Sequence, residues 1–224
     1  MIPLGIDRPY YNKPYVTYTI MALCALVELV RQSAARPDDM IVALGYVAGH
    51  GSLVTLFTSM FTHGGWAHLI GNMLFLWLTG IKVEDALGKA RYLLLYLGSG
   101  VAANMIYAFL SPAVPVPMVG ASGAIAGIMG AFMILYPHSR VKLLLFFCGA
   151  HIIYLPSWLF LGFWFVKEAA SIPFAGMGGG VAFAAHAGGF FAGALWMWSF
   201  FGWDSGEDLE LESAEVIYAA DTGF

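Results

Sequence analysis

Residues 119–136 read VGASGAIAGIMGAFMILY, eighteen residues without a single charge. A stretch of that length and polarity is a candidate for a helix that crosses a bilayer. Pro112, Pro115 and Pro117 precede it, so the helix starts no earlier than about Met118. Gly123, Gly127 and Gly130 fall on one stripe of that helix and let a neighbouring helix come close. Ser122 stands in the first turn, where backbone N–H groups have no partner inside the helix and the helix dipole favours negative charge.

The rest of the chain has the same character. Of its 224 residues, 60% are hydrophobic and 11% charged. A soluble domain carries about a quarter charged residues, so there is too little polar surface here to cover an ordinary globule. A disordered chain, a collagen-like fibre and a disulfide-stapled module are excluded on the same ground. Six apolar segments stand out, at 15–29, 67–81, 90–110, 119–136, 152–166 and 181–203. They predict an all-α polytopic membrane protein, a six-transmembrane-helix bundle spanning 15–203, with a short N-terminus at 1–14 and an acidic tail at 204–224.

Charge sets the orientation. With the N-terminus in the cytoplasm, Arg8, Lys13, Lys82, Lys89, Arg91, Arg140 and Lys142 lie inside, and Arg31, Arg36 and Lys167 outside. Both termini are then cytoplasmic. The net charge of -4 is concentrated in the tail, which holds seven of the 14 acidic residues, and points to no nucleic-acid partner. Cys24 and Cys148 form no motif and read as small buried hydrophobes. The connection 32–66 is too long for a turn and too apolar for a solvated loop. Its runs 40–44 and 53–57, broken by Gly45, Gly49 and Gly51, predict a segment that lies in the membrane interface without crossing. The glycine-rich connection 169–180 predicts a mobile loop.

Polar side chains inside apolar segments are costly and are functional candidates by default. His68 and Asn72, four residues apart at the start of the second segment, share a helix face, and both can donate hydrogen bonds. His63 precedes them, before an entry turn at Gly64-Gly65. His186, in the sixth segment, has Gly189 and Gly193 on its own face, so an imidazole and a close helix approach coincide. Each of these has a plain packing explanation taken alone. Together, a serine at a helix start, a histidine and a donor pair are the parts for acyl transfer. Serine needs a base, histidine has a suitable pKa, and the tetrahedral intermediate needs donors. No Asp or Glu lies in the second, fourth or sixth segment, which predicts a Ser–His dyad whose ring is oriented by packing. A catalytically silent module that grips transmembrane helices, and a metalloenzyme using His63, His68 and His186, are the competing readings.

The order His63…His68-Leu69-Ile70-Gly71-Asn72, Gly120-Ala121-Ser122-Gly123 and Ala185-His186-Ala187-Gly188-Gly189 with Gly193 resembles the rhomboid intramembrane serine proteases. The resemblance implies Ser122 as nucleophile and His186 as general base. His68, Asn72 and the Ser122 N–H would stabilise the oxyanion, with Gly120, Ala121, Gly123, Gly189 and Gly193 shaping the site. It implies a structural place for His63, a membrane-embedded first loop, a cap over the site at 169–180, and a lateral gate near Trp158, Phe160, Phe163, Trp164 and Phe165. No cofactor or metal is implied. The partners implied are the lipid bilayer and membrane proteins bearing a transmembrane helix, in a multi-pass protein of a bacterial inner membrane whose active site faces the non-cytoplasmic side. The sequence departs from the family at two points. Val54-Thr55 stands near where relatives carry Trp-Arg. Ala126 replaces an aromatic one turn after the serine, which leaves the His186 ring open to an aromatic from another segment.

Overall fold

The computed structural model describes residues 2–110, 116–147, 149–174 and 183–202. Strand β1 (Ile2–Ile6) leads to α1 (Tyr15–Ser33), and two short helices, α2 (Pro37–Leu44) and α3 (Leu53–Thr58), occupy the long first connection. Helix α4 (Trp66–Phe75) runs through a π-helical turn into α5 (Ile81–Leu110). Then come α6 (Ser122–Leu135), the strands β2 (Arg140–Phe146) and β3 (Ala150–Pro156), α7 (Ser157–Ser171) and α8 (Phe183–Phe201). The tail at 204–224, Cys148 and half of the glycine-rich connection (175–180) lie outside the described residues.

The fold is mostly helical. Among the described residues one helical stretch, Trp66–Leu110, is long and apolar enough to cross a membrane. It takes in the second and third apolar segments, and Gly88, at a φ of 72° that side chains rarely adopt, breaks it between them. Helix α6 has 14 residues, about 21 Å at the helical rise and short of a hydrocarbon core of about 30 Å. Large apolar side chains point outward, among them Leu26, Leu94, Phe109, Phe163, Trp198 and Phe200. An exterior of this kind marks a surface that meets lipid or protein.

Two expectations are corrected. The protein is not all-α, because β1, β2 and β3 form an antiparallel sheet in that order. Arg140-Val141-Lys142-Leu143 alternates polar and apolar with period two, which is a strand pattern. Val141 and Leu143 are buried on one face. The fifth segment is accordingly part strand, and its helix runs from Ser157, after Pro156, to Ser171.

Backbone contact at glycines joins α6 to α8. A Cβ on Gly189 would overlap the Gly123 carbonyl oxygen, and one on Gly193 the Gly127 carbonyl oxygen. A buried carboxylate joins α5 to α1. Glu84 accepts the Val16 N–H at 2.8 Å, the Thr17 N–H at 2.7 Å and the Thr17 hydroxyl at 2.7 Å. It thereby satisfies the free donors at the start of α1, as a capping side chain would. The neighbouring Asp85 accepts the backbone N–H groups of Tyr11 and Asn12.

Candidate active site

The glycine contacts between α6 and α8 decide how near Ser122 and His186 come. Ser122 begins α6 and His186 sits in the first turn of α8. His186 Nε2 lies 2.8 Å from Ser122 Oγ. Both residues are partly exposed and line a cavity of about 410 Å³ together with His68, Asn72, Trp164 and Glu168.

The turn before Ser122 is held by the first connection. Tyr46 and Met118 exchange two backbone hydrogen bonds, at 2.9 and 2.8 Å. The Gly120 N–H donates to the Ser59 carbonyl at 2.9 Å. The Ala121 N–H points at His63 Nε2, 3.4 Å away. His63 is fully buried, and that burial pushes its pKa down to about 4. Its ring is therefore neutral near pH 7, as an acceptor on Nε2 must be. The connection is anchored in turn by Asn104 of α5, which donates to the Leu56 carbonyl and the Ser59 hydroxyl. Thr58 Oγ1 donates to the Leu44 carbonyl, and Ser52 with Thr55 forms a capping box on α3. These polar contacts anchor the stretch around Val54 and Thr55.

On α4, His68 Nδ1 accepts the Gly64 N–H at 3.4 Å, which leaves the proton of a neutral ring on Nε2. That nitrogen faces Gly120. Gly120 has φ +129°, and a Cβ there would lie 2.9 Å from His68 Nε2 and 3.6 Å from Ser122 Oγ. The absence of a side chain at Gly120 thus leaves a small space between a ring N–H and the serine oxygen. Asn72, one turn along, is buried, lines the same cavity and donates to the His68 carbonyl at 3.0 Å. A group placed in that space would meet the His68 ring, with the Asn72 amide and the first turn of α6 close by. The arrangement suits an oxygen that gains negative charge.

Two side chains at the site come from α7. The Trp164 ring packs on the His186 ring with centroids 5.8 Å apart, so an aromatic from another segment does meet that ring. Glu168 Oε2 lies 2.8 Å from His186 Nδ1. The ring is therefore hydrogen-bonded on both nitrogens, and packing alone does not orient it. Sequence reasoning missed Glu168 because it lies just past the fifth apolar segment, beside Lys167. The helix continues to Ser171, however, and Trp164 and Glu168 are four apart on one face. Among the described residues no three His, Cys, Asp or Glu side chains converge as a metal set.

A family model described as rhomboid domain matches residues 50–203, more than half the chain. Rhomboid protease GluP of Bacillus subtilis is 34% identical over 189 residues, covering 82% of this chain and 35% of that protein. Rhomboid protein 1, mitochondrial, of Saccharomyces cerevisiae is 32% identical over 168 residues, covering 71% of this chain and 44% of that protein. The chain thus spans less than half the length of these two curated relatives.

Proposed function

The chain belongs to the rhomboid family, and from that premise we propose that it is an intramembrane serine endopeptidase acting on transmembrane or juxtamembrane segments of other membrane proteins. The observation that carries the reading is the 2.8 Å approach of His186 Nε2 to Ser122 Oγ at the edge of a cavity with donors on its other side.

In this reading six helical stretches, α1, α4 with its π-helical turn, α5 beyond Gly88, α6, α7 and α8, form a six-span bundle with both termini cytoplasmic. Helix α6 stops short within the bilayer, so Ser122 lies below the non-cytoplasmic surface. The helices α2 and α3 lie in the membrane, which suits the exposed Val42, Leu53, Val54 and Phe57. Water reaches the site from the non-cytoplasmic side.

Chemistry begins when Ser122 Oγ attacks the scissile carbonyl carbon and its proton passes to His186 Nε2. The carbonyl oxygen becomes an oxyanion that accepts hydrogen bonds from His68 Nε2–H, the Asn72 amide and the Ser122 backbone N–H. The C–N bond breaks as His186 returns the proton to the leaving amine. Water then attacks the acyl-enzyme, His186 takes its proton, and the carboxylic product leaves with Ser122 regenerated. A helical substrate hides its carbonyls in its own hydrogen bonds, so the scissile segment must unwind first. Small or helix-breaking residues near the cut lower that cost.

The test is cleavage of a transmembrane reporter by the protein in liposomes. The reading expects cleavage by the wild type and none by Ser122→Ala. Equal activity of the two overturns it, and reporter binding without cleavage by the wild type favours a silent helix-binding protein.

A further inference from the structure

The proteolytic reading uses Ser122 and His186 but leaves unexplained why an acidic side chain is buried against the ring. Glu168 is 4% exposed at its side chain, near the end of an otherwise apolar helix. A carboxylate in such a place is costly unless its oxygens are partnered. Both are. Oε1 meets the Lys167 ammonium at 2.6 Å, and Oε2 meets His186 Nδ1 at 2.8 Å. Lys167 extends outward, with its side chain about half exposed.

The two contacts of the ring fix its tautomer. An ionised carboxylate only accepts hydrogen bonds, so Nδ1 must carry the proton. Nε2 is then a lone pair aimed at Ser122 Oγ, which is the state a general base requires. The opposite tautomer would set the Nδ1 lone pair against a carboxylate oxygen and leave Nε2 unable to accept a proton. Trp164, on the same face of α7, holds the ring plane. The groups facing His186 are thus Ser122 from α6, Trp164 and Glu168 from α7, and His68 from α4, with Lys167 acting through Glu168.

We propose that Glu168 is the third member of the site, a positioning residue that holds His186 in the Nδ1–H tautomer and balances the imidazolium formed as Ser122 attacks. The inference rests on the proteolytic reading for its consequence but not for its geometry. In soluble triads the acid in this place holds the histidine tautomer, and its amide replacement lowers kcat by about 10⁴. The structure assigns the same task here to a residue of α7, outside the three segments that carry the recognisable motifs.

The experiment compares wild type, Glu168→Gln, Glu168→Asp and Ser122→Ala as full chains in liposomes, measuring kcat and KM on a transmembrane reporter. A second measurement is ¹⁵N NMR of the histidine ring nitrogens, with the His186 signals assigned by their loss in His186→Gln. The expected result is a kcat lowered about 10²-fold or more in Glu168→Gln with KM little changed, partial recovery in Glu168→Asp, and total loss in Ser122→Ala. The wild-type ring is expected as Nδ1–H, with a tautomer mixture in Glu168→Gln. If Glu168→Gln keeps wild-type kcat while Ser122→Ala is dead, Glu168 is structural only and the proteolytic reading stands. If the wild type and Ser122→Ala are equally inactive, the proteolytic reading fails and the catalytic consequence of Glu168 fails with it. An Nε2–H ring in the wild type overturns the positioning role whatever the activity.

Discussion

Glu84 and Glu168 are both carboxylates buried in a chain with little charge, but they differ in what they hold. Glu84, at the junction of α1 and α5, takes three donors from the adjacent residues Val16 and Thr17, two of them backbone N–H groups. Such donors do not titrate, so the contact is fixed and serves the architecture. Glu168, at the junction of α7 and α8, takes a histidine ring and a half-exposed lysine. Its main partner is a side chain that can take a proton from a nucleophile and pass it on. What a buried charge does therefore follows from whether its partner can change state.

The comparison is most exposed to His186→Ala. Removing the base is expected to lower turnover by at least ~10⁴, by analogy with soluble serine proteases, with helical content by circular dichroism retained. A variant that unfolds instead would place His186 among the architectural contacts. Next in size, Asn72→Ala removes a donor from the space beside Gly120 and is expected to lower kcat by about 10²–10³. A KM increase at unchanged kcat would mean that Asn72 only binds substrate.

Glu84→Gln tests the opposite side. The amide nitrogen cannot accept, so at least one donor at the start of α1 is left unpaired in a buried place. The expected cost is about 3 kcal/mol of stability, read as a lower melting temperature in detergent, with kcat of the folded fraction unchanged. A fall in kcat at constant stability would erase the distinction between the two carboxylates.

The smallest expected effect concerns His63, which lies in the connection outside the spanning segments. Burial holds its folded pKa at about 4, below the roughly 6.5 of a free histidine. The stability that its neutral ring confers is therefore complete above about 6.5 and lost as pH falls towards 4. Protonation turns Nε2 from an acceptor into a donor facing the Ala121 N–H, which loosens the turn before Ser122. Melting temperature should fall between pH 6.5 and 4.5, and His63→Asn should flatten that fall. An unchanged slope would remove His63 from the support of this turn.

How much of this is legible in sequence depends on the length of the signal. The proximity of Ser122 and His186 is foreshadowed by glycine stripes on both helices, since small residues at fixed spacing report close packing directly. His68 and Asn72 share a face by spacing alone. The sheet is hidden because residues 140–146 and 150–156 are short and apolar enough to pass for part of a bundle, although the alternation of 140–143 is visible. Glu84, Asp85 and Glu168 escape a reading of the sequence, because burial of a charge depends on partners up to 74 residues away. Trp164 was visible as an aromatic of the fifth segment, but its packing on the ring depends on the approach of α7 to α8, which spacing within one helix does not encode.

The most direct test is covalent labelling of the purified protein by a fluorophosphonate, with the adduct located by peptide mass spectrometry. If Ser122 is a nucleophile activated by His186, the adduct forms on Ser122 and is absent or strongly slowed in His186→Ala. Absence of labelling in the folded wild type, or an adduct rate unchanged by His186→Ala, would contradict the account.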